Sequence, residues 1–218
     1  MASLIGILFV LLIIALVIAI ILTVMEKITK IAIPIIIIAL LIVGAFYFIY
    51  DTADLQRKFE TENKLFLLEL DDSVAGAFSV KGSQEPVVMD DLSNYRSLSQ
   101  KSLDALAARY YKVIIVHWNT FDDLPSINVA GITVTREDAL AAFESGSPKE
   151  FLSPQVASLF PTEDSVRSSL FNLMFGAAYQ KTNLIEMYRA GTVDIYPETM
   201  GLKVIKLIPE VLLEKLVK

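Results

Sequence analysis

The chain has 218 residues, a formal net charge of −6, one histidine and no cysteine. The missing cysteine excludes disulfides, thiolate metal sites, cysteine nucleophiles and acylated cysteines, and the acidic balance argues against binding nucleic acid through its phosphates. The mean hydropathy of +0.55 averages two unlike parts, because residues 51–218 hold 17 of the 19 Lys and Arg and 24 of the 25 Asp and Glu, for a net charge of −7.

The first 50 residues contain two apolar stretches without an ionisable side chain, 4–24 and 31–50. A bilayer core about 30 Å thick takes roughly 20 apolar residues in a helix, so each stretch predicts a membrane span. Met1-Ala2-Ser3 carries no basic residue, and the first run exceeds the roughly 7–15 apolar residues of a signal peptide. The connector Met25-Glu26-Lys27-Ile28-Thr29-Lys30 is short, as between antiparallel neighbours, and the pair predicts a transmembrane helical hairpin. Lys27 and Lys30 place the connector in the cytoplasm and the following domain outside, while Arg57, Lys58 and Lys64 pull the other way. Ala15, Ala19 and Thr23 recur every fourth residue, a stripe that permits close helix approach. The expectation is a two-span, multi-pass cell-membrane protein with an extracytoplasmic domain. Its partners would be the lipid bilayer and a membrane protein or a second copy met through the hairpin. Spans without ionisable groups lack the residues of proton relays and ion pathways, which favours an anchor over a transporter.

Residues 51–63 read as a polar stalk, and 64–218 as one acidic, soluble, mixed α/β or α+β domain with one mixed sheet. Leu65–Leu70 and Val74–Val80 are β-capable runs separated by Asp71-Asp72-Ser73, which predicts a hairpin. Pro86–Met89 reads as a short edge strand, since its proline removes a ladder donor. A helix over Ser99–Arg109 leads to Lys112–Trp118, whose continuous run Val113-Ile114-Ile115-Val116 suits a strand covered on both faces. Ile127–Thr135 has β character around Gly131, and Thr135-Arg136-Glu137-Asp138 resembles a capping box that opens a helix through Phe143. Thr162 caps a helix over Glu163–Lys181. Leu184–Arg189 forms a short helix ending at Gly191, Thr192–Tyr196 a last strand, and Pro209 opens a final helix in the basic amphipathic segment 201–218.

Candidate chemistry is sparse. His117, the single histidine, ends the apolar strand, and ligands collect beyond the carboxyl ends of strands in open α/β sheets. His117, Asn119, Asp122 and Asp123 are therefore the candidate pocket. One histidine matches no metal-ligand spacing, so no metal and no cofactor is expected. Asp71-Asp72 and Asp90-Asp91 are read as solvated turn residues. Phosphate loops, nucleophile elbows and zinc-protease motifs are missing, so no catalytic residue is named and a non-enzymatic role is expected. The leading expectation is a membrane-anchored interaction or accessory-subunit protein. The alternatives are a small-molecule or cation sensor domain and a membrane-tethered hydrolase with an unrecognised site.

Overall fold

In the computed structural model of the chain, the described residues are 16, then 33, 35–40, 42, 44 and 54, then 57–207 apart from 97, 130, 153 and 159. Two compact units divide the chain, 1–50 and 51–218.

The described residues of the first unit are helical. Among the described residues no helix is long and apolar enough to cross a membrane. This corrects the predicted fold class with its transmembrane hairpin and the predicted multi-pass cell-membrane location. The greater part of 4–24 and 31–50 lies outside the described residues, together with the connector 25–30. The architecture observed is an α+β domain with a mixed sheet.

Among the described residues seven strands follow in chain order: β1 (Asn63–Leu70), β2 (Ser73–Lys81), β3 (Val87–Val88), β4 (Lys112–His117), β5 (Ser126–Val129), β6 (Ile132–Thr135) and β7 (Val193–Tyr196). The main sheet has the order β3-β2-β1-β4-β7; β1 and β4 run parallel, and the other neighbours are antiparallel. The predicted first hairpin is observed. Asp71 and Asp72 sit at φ 48° and 59°, as both central residues of a two-residue type I′ turn must, and Asp tolerates the left-handed region. One expectation changes here, because β5 and β6 form a separate two-stranded sheet. Gly131 at φ 88° lies between them.

From residue 100 onward the described helices are α1 (Gln100–Ala107), α2 (Arg136–Glu144), α3 (Pro154–Ala157), α4 (Glu163–Tyr179), α5 (Leu184–Ala190) and α6 (Met200–Leu207). Thr135 closes a capping box with Asp138 at α2, and Thr162 caps α4 through the Ser165 N–H. Helix α4 stops two residues before the predicted Lys181, whose Nζ instead donates to the Asp123 carbonyl at 2.9 Å. Helix α6 begins nine residues before Pro209 and buries Leu202 and Ile205; residues 208–218 lie outside the described residues.

Both faces of the central strands are covered, as their unbroken apolar runs require. Phe66, Leu68, Ile114 and Val116 enter the larger core with α4, while Leu65, Leu67, Val113 and Ile115 enter a smaller one with Leu103 and Leu106 of α1. Helix α4 lies close against β2 because Gly76 lets it. A Cβ there would stand 3.0 Å from Phe171 Cβ and 3.1 Å from the Arg167 carbonyl oxygen. The same approach lets Ser168 Oγ accept from the Ala77 N–H at 3.2 Å, a ladder donor beyond the reach of the two-residue β3.

Candidate functional site

Strands β1 and β4 end side by side, with Glu69 opposite His117, and β7 runs back along β4 with Asp194 opposite Ile115. Strand alternation puts these three side chains on the face of the smaller core, beyond the part that core covers. His117 Nδ1 lies 2.5 Å from Glu69 Oε2 and its Nε2 lies 3.1 Å from Asp194 Oδ2. The side chains of Glu69, His117 and Asp194 are 24%, 29% and 55% exposed, so the cluster is open to water. A neutral imidazole has one N–H and serves one carboxylate as donor; only the imidazolium serves both. The two ring nitrogens face apart, so the carboxylates do not converge on one point. Among the described residues no group of three or more His, Asp or Glu could hold a metal ion.

The other candidate residues find different partners. After His117 the chain turns through a 3-10 helix, Trp118–Phe121, in which the Asn119 carbonyl accepts from the Asp122 N–H at 3.2 Å. Asp122 pairs with Arg136 of α2, Oδ1 to Nη2 at 2.5 Å, and that guanidinium lies 5.2 Å from the Trp118 ring centre. Asp123 is engaged through its carbonyl by Lys181. His117 is thus bonded across the sheet, whereas Asp122 and Asp123 tie the following loop to α2 and to the end of α4.

A cleft of about 480 Å³ opens at the carboxyl end of β1, beside the β1–β2 turn. Its floor is apolar, made by Leu70, Val74, Ala75, Leu92 and Phe143. Its rim is charged, with Asp71, Arg96, Glu144, Asp164 and Arg167. Arg167 is fixed from two sides: Nη1 donates to Asp164 Oδ1 at 2.9 Å and Nη2 to the Ser145 carbonyl. Asp164 Oδ2 in turn accepts from the Leu92 N–H at 3.0 Å. The first turn of α4, the end of α2 and the loop after β3 are thereby held around one opening. Asp91 of that loop is turned to Ser93, whose N–H and hydroxyl hold its carboxyl below the usual range.

Glu69 and Asp194 were not candidates from sequence, nor were Arg96, Glu144 and Arg167. The first two reach His117 only through strand register, and the other three come from separate elements. Asp71 was visible in the sequence, as a turn residue.

Compared with known protein families, with curated proteins and with solved structures, the chain matches none of the three.

Proposed function

We propose that the α+β domain is a ligand-sensing domain that takes a small molecule in the cleft beside the β1–β2 turn. The carrying observation is the cleft, which joins an apolar floor to a charged rim beside the turn of the β1–β2 hairpin. Its volume falls within the roughly 300–1,000 Å³ typical of small-molecule sites. The test is thermal unfolding of the full-length chain with amino acids, nucleotides, sugars and divalent cations at millimolar concentration. At about ten times its Kd, a ligand adds about 1.4 kcal/mol and raises Tm by about 3 °C or more. Ser73→Trp, on the exposed rim, should abolish that rise. The reading falls if no class shifts Tm, or if the shift survives Ser73→Trp.

A second reading, an interaction or accessory-subunit module, is supported by the outer face of α4. From residue 168 to residue 180 the sequence has no charged side chain, yet Leu173 and Tyr179 are 40% and 52% exposed. In a domain of net charge −7, this face offers a second copy the approach with least repulsion. Light scattering should find a dimer that Leu173→Lys dissociates; a monomer at all concentrations removes the reading.

A further inference from the structure

We propose that the cleft takes a zwitterion of amino-acid or dipeptide size, its carboxylate held by Arg96 and Arg167 and its ammonium group by Asp71 and Glu144. The inference rests on the ligand-sensing reading and narrows it to a ligand class.

The arginines carry one half of it. A guanidinium has five N–H donors, and Arg167 spends one on Asp164 and one on Ser145. The two bonds lock the fork in place, so the remaining donors meet a ligand carboxylate without further ordering cost. At 17% exposure the Arg167 side chain is well recessed, whereas Arg96 is exposed, with the Asp91 carboxylate as its electrostatic neighbour. The acids carry the other half. Asp71 and Glu144 stand on the same rim, both exposed, and neither forms an ion pair among the described residues. The main chain holds Asp71 in the hairpin turn at φ 48°.

The rim charges, Arg96 and Arg167 against Asp71, Glu144 and the Asp164 already paired with Arg167, then select the ligand. A simple anion paired with the arginines would bring its charge toward Asp71 and Glu144, and a simple cation would meet the arginines. A zwitterion satisfies both groups, and the apolar floor accommodates an aliphatic side chain between them.

The experiment is calorimetric titration of the full-length chain with leucine, leucyl-leucine, N-acetyl-leucine and leucinamide. Leucine or the dipeptide should bind, and the acetylated and amidated analogues, each missing one charge, should bind about tenfold more weakly or worse. Arg96→Gln should weaken leucine and N-acetyl-leucine but not leucinamide; Glu144→Gln should weaken leucine and leucinamide but not N-acetyl-leucine. Both positions are exposed, so the fold is expected to survive either change. Equal affinity for all four probes overturns the inference, as does preference for a singly charged probe. Binding of none also overturns it, and the wider thermal panel then decides separately whether the cleft takes another small molecule.

Discussion

The two central strands β1 and β4 start and finish together, yet their ends are built in opposite ways. At the amino end the register partners are Lys64 and Lys112, which are 4% and 1% exposed. Their ammonium groups are spent on main-chain carbonyls. Lys64 donates to Phe59 and, at 3.3 Å, to Glu62; Lys112 donates to Pro197 at 2.5 Å. At the carboxyl end the partners are Glu69 and His117, joined side chain to side chain in the open. Buried cations are tolerable only when acceptors come with them, and carbonyls fixed in the backbone cannot leave. Exposed side-chain pairs can exchange partners with a ligand. The closed end is therefore held by bonds to the main chain that open only on unfolding, and the open end by side-chain pairs that can open without it.

The largest test of this contrast is Lys112→Ala. It removes a fully buried stem and the donor to the Pro197 carbonyl, and should cost about 3 kcal/mol in urea unfolding. Lys112→Met, which keeps the stem, should cost less than half of that. A loss below about 1 kcal/mol for the alanine variant would mean that the amino end is no more structural than the other.

Gly76→Ala comes next. The added Cβ would press on Phe171 and on the Arg167 main chain, so α4 must move off β2 by a few tenths of an ångström at a cost of about 1–2 kcal/mol. Because Arg167 lines the cleft, affinity for the proposed ligand should fall with stability. Loss of stability with unchanged affinity would separate the helix contact from the site.

What could be read in the sequence was local chemistry. Asp71-Asp72 specifies its turn, Thr135 and Thr162 cap their helices, and Gly191, at φ 71°, ends α5. The site depends on distant partners instead. His117 was singled out for its position at a strand end, but its neighbours were set by the parallel register with β1 and the antiparallel return of β7, which no local pattern encodes. The cleft rim likewise draws on the hairpin turn, the loop after β3, the end of α2 and the start of α4. The membrane reading rested on the length and apolarity of two stretches; no described helix has both properties.

At the open end, His117→Gln should cost no more than about 1 kcal/mol, the usual worth of exposed pairs, when measured beside Lys112→Ala under the same conditions. A cost rivalling that of Lys112→Ala would erase the distinction between the two ends.

The smallest effect lies in pH dependence, and it too belongs to the closed end. Burial pushes the Lys64 ammonium below the usual lysine range, so the folded chain releases this proton before the unfolded chain does. Between the folded value and the ordinary lysine value of about 10.4, the unfolded state binds more protons, and stability should rise with pH across that window. Lys64→Met has nothing to titrate there, so the stability difference between wild type and variant should grow with pH. Glu198, next to the Pro197 that receives Lys112, runs the other way. The Tyr188 hydroxyl donates to its carboxylate and holds it below the usual range, with Lys206 adding to the effect. Its contribution is complete above the ordinary glutamate value of about 4.3 and is lost as pH falls through the lower folded value, and Glu198→Gln should flatten that acid limb. Urea midpoints across both pH ranges check the pair, and an alkaline limb that Lys64→Met leaves unchanged would show that desolvation of Lys64 does not set it.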